Sequence, residues 1–327
     1  MNTRRQKSPG DMQQLSGGVP ACPPKKIGLV VNPAAGNGSV RRVWPEIARL
    51  LTGAGLNFTY GFTDRPGVGA ELARKVLGQG CDCVVAVGGD GTVNEVVNGL
   101  LAEDIPARAR LGIIPCGTGR DFARTLGIPR SPAGAVARLV EGRALLVDVG
   151  LITFSTEDNG ASRRYFLNVA DAGLGGETAA RVNGAGKQLG GFWSFLRGAL
   201  VTVSAYRPKT VRIDIDGDVS GQIDITTVAL ANGRYFGGGM FIAPQARMDD
   251  GLFDVVVIRG MPRLELALNL LKVYGGRHLD HPKVNLRRGR CIVIDSRERV
   301  CVEADGEPAG YLPAEFSLVP DAVRVIC

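Results

Sequence analysis

Val84-Val85-Ala86-Val87 runs straight into Gly88-Gly89-Asp90-Gly91-Thr92, and helix-forming residues follow. Four apolar, β-compatible residues make a strand suited to burial on both faces, and glycine lets the chain turn out of it without a Cβ clash. A strand, a tight corner and a helix N-terminus are the repeating unit of an α/β fold. Backbone N–H groups at such a corner, with the positive end of a helix dipole behind them, suit a phosphate group. Asp90 beside an anion calls for a cation between the two, and Mg²⁺ on a nucleotide phosphate meets that need. Without a ligand the same residues read as a glycine-rich turn with Asp90 as its N-cap.

The arrangement occurs twice more. Lys26 to Val31 enters Asn32-Pro33-Ala34-Ala35-Gly36-Asn37-Gly38, after which Val43, Ile47, Leu50 and Leu51 fall at helical spacing. Arg110 to Ile114 enters Pro115-Cys116-Gly117-Thr118-Gly119-Arg120-Asp121, followed by Phe122, Ala123 and Leu126. In an open parallel sheet, loops at the carboxyl ends of the strands share one rim, so all three can touch one ligand. None of them matches GxxxxGK[ST] or completes GxGxxG, which disfavours a P-loop ATPase and a standard dinucleotide fold.

Beyond about residue 145 the texture changes from βα alternation to strand pairs. Thr210 to Ile215 alternates polar and apolar residues, Asp216-Gly217 signals a hairpin, and Gln222 to Thr226 resumes the alternation. Lys283–Leu286, Cys291–Ile294 and Arg299–Val302 repeat the pattern, which predicts an antiparallel sheet or sandwich. Helices are expected over about 188–205 and 262–273. The first carries an apolar stripe of Leu189, Phe192, Trp193, Leu196, Leu200 and Val203 beside Arg197 and Arg207. Such a stripe packs into a core or seeks a membrane surface.

Six ordered motifs resemble the diacylglycerol kinase catalytic family, in its bacterial soluble lipid kinases related to sphingosine kinases. They are Asn32-Pro33-Ala34-Ala35-Gly36, Gly88 to Glu95, Gly117 to Ala123, Asn232 to Gly239, Ala243-Pro244 through Gly251, and Asp305-Gly306-Glu307-Pro308. One departure stands out, since the family has Asn where this chain has Arg120. The resemblance implies an N-terminal three-layer α/β nucleotide-binding domain over 25–145, completed by 312–327, and a C-terminal antiparallel β-sandwich that takes a lipid acceptor over 146–311. It implies ATP and Mg²⁺ as cofactors. Carried across, Asn32, Pro33, Ala34, Ala35, Gly36, Thr63, Gly88, Gly89, Asp90, Gly91, Thr92, Val93, Asn94 and Thr118 hold the nucleotide. A structural Mg²⁺ falls to the Asp250 side chain and the carbonyls of Arg247 and Leu252, although an acidic pair at a turn also simply caps it. Asp90 acts through metal, and Glu307 or Asp305 accepts the hydroxyl proton. Two acids at i and i+2 in an extended segment point the same way, which suits one of them to activate a hydroxyl while the other binds or orients it. The reading is therefore a Mg²⁺-dependent lipid kinase, acting on a diacylglycerol-like or sphingoid hydroxyl. An NAD kinase-like phosphotransferase and a non-catalytic nucleotide or lipid sensor are the alternatives.

Charge fits this better than nucleic-acid binding. The formal charge is +7, but the five cations of residues 1–26 against Asp11 supply +4 of it, and the rest is too weakly basic for such a footprint. A mildly basic surface suits ATP and anionic lipid, and expected partners are a lipid at the membrane surface and a second copy of the chain. Residues 1–24 read as a disordered tail. Arg4-Arg5 lacks the apolar stretch of an export signal, and no run reaches the roughly 18 apolar residues of a membrane span, so a cytoplasmic protein with peripheral membrane contact is expected. Seven cysteines without pattern read as reduced thiols, and His278 and His281 as structural or surface residues.

Overall fold

The computed structural model describes residues 18–19, 22–102, 109–158, 160–185, 202–203 and 206–327. A first two-residue strand, β1 (Gly18–Val19), sits where a structureless tail was expected, paired with Leu145 and Ala144. The α/β half then runs β2 (Ile27–Val31), α1 (Ala35–Gly53), β3 (Phe58–Phe62), α2 (Val68–Gly78), β4 (Cys83–Gly88), α3 (Asp90–Leu100), β5 (Arg110–Pro115), α4 (Asp121–Thr125) and α5 (Pro132–Glu141). Strands β3, β2, β4 and β5 lie side by side in parallel.

Every residue of β2 and β4 is buried, as continuous apolar runs between helical layers require. Alternate side chains go to opposite faces. Ile27, Leu29, Val31, Cys83, Val85 and Val87 pack with Ile47 and Leu51 of α1 and Val136 and Leu139 of α5. Val30, Val84 and Ala86 pack with Val76 of α2 and Val93, Val96 and Val97 of α3. Three layers result, with the glycine corners along one rim.

The second half comprises β6 (Ala144–Ser155), β7 (Ala161–Phe166), β8 (Val169–Gly173), α6 (Leu174–Ala185), β9 (Lys209–Ile215), β10 (Asp218–Val219), β11 (Ile223–Ala231), β12 (Phe253–Arg259), α7 (Arg263–Val273), β13 (Val284–Gly289), β14 (Cys291–Asp295), β15 (Cys301–Ala304) and β16 (Glu307–Ile326). The strands of this half pair with one another antiparallel, around a core that includes Phe166, Phe253, Phe316, Ile292 and Val302. Of the stripe expected over 189–206, the residues up to Leu200 lie outside the described residues. Val203 and Tyr206 are buried with Val169, Leu174 and Ala229, which is core packing.

β16 joins the halves. It pairs with β15 near Glu307 and with β14 at Ala314–Ser317, and ends beside β5, where Arg324 and Val325 register in parallel with Arg110 and Leu111. Along most of its length it also pairs with β6.

Candidate functional site

The three corners expected to share a rim do so through backbone contact. Asn32 N donates to Val87 O (3.0 Å), and the amides of Cys116 and Gly117 both donate to Gly88 O (2.8 and 3.0 Å). A Cβ on Gly117 would stand 2.3 Å from the Gly89 Cα, and one on Gly36 would stand 2.5 Å from Cys116 O. Only glycine permits approaches this close. Gly36, Asn37 and Gly38 all have left-handed φ, which opens a loop of backbone before α1 becomes regular. Asn32 steadies it, its Oδ1 accepting from Ala34 N (3.0 Å) and its Nδ2 donating to Thr92 Oγ1 (3.1 Å). Thr63 N donates to Val31 O (2.9 Å). Pro33, Ala34, Ala35, Thr63, Gly89, Gly91 and Thr118 are half-buried or exposed around this floor. Val93 faces the core at 3% exposure, so only its backbone is available to a nucleotide.

Asp90 lies against the start of α4, its Oδ1 accepting from Phe122 N (3.2 Å). Asp121 stands nearby, Oδ2 accepting from Gly238 N (2.7 Å) and Oδ1 from Arg124 (2.9 Å), whose guanidinium also covers Tyr235. A Cβ on Gly119 would lie 2.8 Å from Asp90 Oδ2 and 3.7 Å from Asp121 Oδ2, so the two acids flank that glycine. Burial pushes both carboxyls up, Asp121 to about 7, and the Asp90 charge adds to the rise at Asp121. Asp90 and Asp121 are thus two carboxylates held beside the glycine corners, with the Arg124 guanidinium on Asp121 alone. Asp121 was read in the sequence as part of a motif and not as a site residue. Its proximity to Asp90 comes from the Gly117-Thr118-Gly119 turn, and single-chain spacing does not show it.

Asp305 and Glu307 separate in role. Asp305 takes a left-handed φ of 52°. Its Oδ2 accepts from Leu167 N (2.7 Å) and Asn94 Nδ2 (2.8 Å), and its Oδ1 from Asn168 N (2.8 Å) and Val169 N (3.3 Å). Four donors use both oxygens, which leaves the carboxylate to hold the turn. Burial pushes its carboxyl up, opposed by these hydrogen bonds. Half-buried Glu307 reaches the glycine corner at Gly91, where a Cβ would stand 3.9 Å from its Oε1.

The Asn94 side chain, expected at the nucleotide, is taken up by bonds within the protein. At 1% exposure its Nδ2 serves Asp305 and Tyr165 O, and its Oδ1 accepts from Arg164 (2.9 Å) and Asn98 (3.1 Å). Its side chain ties the halves together behind the corner. Glu95 is likewise spent, its two oxygens accepting from Gly67 N and Gly69 N at the start of α2. Behind Asp305, Glu303 faces Asp171 across the β15–β8 ladder, both nearly inaccessible. Glu303 accepts from Gly306 N, within the Asp305-Gly306-Glu307 turn. Burial drives the Asp171 carboxyl up to about 7 and that of Glu303 well above its ordinary range, where the Asp171 charge adds to it.

The structural Mg²⁺ implied at Arg247, Asp250 and Leu252 does not fit the loop as folded. Arg288 bridges Asp250 and Asp254, Leu252 N donates back to Asp250 Oδ1 (3.2 Å), and Arg247 pairs with Asp249 (3.1 Å). A guanidinium neutralises the acid that a metal would use. Among the described residues no group of three acids, histidines or cysteines could hold a metal. His278 is buried with Nε2 on Ile242 O (2.9 Å), His281 pairs with Glu265, and all seven cysteines are free.

Residues 26–152 match the diacylglycerol kinase catalytic domain, and residues 168–327 match the YegS C-terminal NAD kinase beta sandwich-like domain. A diacylglycerol kinase of Staphylococcus carnosus (strain TM300) is 30% identical over 302 residues, which is 92% of this chain and 94% of that protein. One from Staphylococcus aureus (strain bovine RF122 / ET3-1) is 30% identical over 293 residues, 89% of each. A solved diacylglycerol kinase from Bacillus anthracis str. Sterne superposes with a TM-score of 0.70 at 26% identity, covering 93% of this chain and 97% of that one.

Proposed function

The chain belongs to the diacylglycerol kinase family, and from that premise we propose that it transfers the γ-phosphoryl group of ATP to the hydroxyl of a diacylglycerol-like or sphingoid lipid. The observation that carries this reading is the meeting of three glycine corners with Glu307 at the edge of Gly91. Phosphoryl transfer asks for positioning and charge neutralisation more than for covalent chemistry, and backbone amides with a few acids supply both. The loops at Asn32–Gly36, Gly88–Thr92 and Thr118, with Thr63 beside them, hold the phosphates and orient the terminal one. Mg²⁺ bound with the nucleotide supplies positive charge on the phosphate oxygens. Asp90, with Asp121 beside it, holds that cation. Glu307 accepts the acceptor's hydroxyl proton, and Asp305 fixes the turn that aims it.

The test is incubation of the full chain with γ-labelled ATP, Mg²⁺ and a total lipid extract, the labelled product being identified by mass spectrometry. Label in a phosphorylated lipid, lost in Glu307→Gln and in Asp90→Asn, supports the reading. Label on NAD instead would move the chain to the other phosphotransferase class. ATP bound without turnover on any lipid would make it a sensor.

A further inference from the structure

Among the described residues the three most exposed large apolar side chains are Leu264 (74%), Leu271 (62%) and Leu268 (56%), all on α7. At positions i, i+4 and i+7 they fall within about 60° of the helix circumference. The opposite face is already buried, Leu266 and Val273 packing with Met240, Ile242 and Val256. A surface helix needs one apolar face for its own fold, and α7 has a second with nothing among the described residues packed on it. The charge around it is net positive. Glu265 is held by Lys283 (3.0 Å) and His281 (3.1 Å), and against the exposed Asp280 stand Arg263, Lys272 and Arg277, all exposed and in no ion pair among the described residues.

α7 is also fastened to the candidate site. Phe241 N donates to Val273 O at its last turn (3.1 Å), Phe241 stacks on Tyr235 (4.6 Å), and Gly238 of the same loop donates to Asp121. We propose that the Leu264–Leu268–Leu271 face of α7 docks on an anionic phospholipid surface, its leucines entering the headgroup boundary and its cations meeting lipid phosphates. Three leucines are far too small for a stable protein interface, whereas leucine insertion with flanking cations is how interfacial helices bind. The proposal rests on the lipid-kinase reading in one respect, that the acceptor lies in that membrane.

The test is sedimentation of the full chain, without ATP, with vesicles of phosphatidylcholine alone or mixed with phosphatidylglycerol. Leu264→Gln/Leu268→Gln/Leu271→Gln keeps helix propensity and lowers partitioning on the order of 100-fold, with an unchanged melting temperature. Arg263→Gln/Lys272→Gln/Arg277→Gln removes most of the preference for phosphatidylglycerol and the sensitivity to salt. Equal sedimentation of the leucine variant and the wild type overturns the proposal. So does a wild type that stays in the supernatant while forming a dimer that the leucine variant lacks. A wild type that sediments through α7 but phosphorylates no lipid overturns the kinase reading and leaves the docking face standing. One that phosphorylates a dispersed short-chain acceptor but never sediments does the reverse.

Discussion

Two acids separated by one glycine do different work because they sit in different surroundings. Asp305 accepts four N–H donors, and its Oδ2 holds Asn94 across to the α/β half. Replacing it with Asn sets an amide donor against backbone donors inside the fold. Asp305→Asn therefore lowers stability by about 2–4 kcal/mol, read as a fall in melting temperature. Glu307 stands half-buried at the Gly91 corner, and the isosteric Glu307→Gln leaves the melting temperature near that of the wild type. Loss of a general base costs roughly 10²- to 10⁴-fold in kcat, with little change in KM for ATP. A Glu307→Gln enzyme with unimpaired kcat would place the proton acceptor elsewhere. Arg120 keeps a left-handed φ of 57° and leaves the Phe122 amide on Asp90 undisturbed, since that bond is made by backbone.

Paired elements generate electrostatic features away from the glycine rim. The β8–β15 ladder sets Asp171 opposite Glu303 in a buried layer, with Tyr206 and Cys301 as the other titratable neighbours of Asp171 and with Asp305 and Glu307 facing Glu303. An Asp held up at about 7 in the folded chain, against about 3.9 unfolded, keeps a proton that the unfolded chain has released. Stability from this group therefore falls as pH rises between those two values. Thermal melts should show a melting temperature dropping from about pH 5 to about pH 8, with a shallower slope in Asp171→Asn, which still accepts from Gly176 and gives Glu303 a donor. Parallel slopes in the two proteins would show that the pair holds no such proton. The β12–β13 ladder makes a second case, placing Arg288 opposite Asp254 and within reach of Asp250. Removing one partner of such a network leaves buried charge unpaired. Arg288→Met should destabilise the protein by about 2–4 kcal/mol, whereas EDTA should leave the wild-type melting temperature unchanged. A drop with EDTA that added Mg²⁺ reverses would put a structural metal back in the loop.

At the scale of the molecule, β16 makes two halves of different architecture into one object. Its course was only partly legible in the sequence. Buried strands such as Val84–Val87 and the Asp216-Gly217 hairpin announce themselves locally, through continuous apolar runs, alternation and turn chemistry. The 20 residues of β16 do not, because Pro308, Pro313 and Pro320 break the alternation that would mark one strand. The meeting of the three glycine corners was legible because each corner carries its own glycines. The tie from Asn94 to Asp305 was not legible because the two lie 211 residues apart, and the Asp171–Glu303 pair was missed because ladder register is a non-local property. Periodicity marked α7 as apolar without telling an inward leucine from an outward one. The strand's continuity has a thermodynamic consequence. Separate cores, one around Val84 and Val96 and another around Phe253 and Phe316, would by themselves unfold as separate domains. Unfolding either half here strips β16 of ladder partners on the other side of the molecule, and Leu167 and Met248 from the second half are already packed in the core of the first. Calorimetry should therefore show one transition whose calorimetric and van't Hoff enthalpies agree, and Asn94→Ala, which cuts the polar tie between the halves, should lower its midpoint without splitting it. Two resolved peaks in the wild type would mean that the shared strand transmits too little free energy to couple its halves.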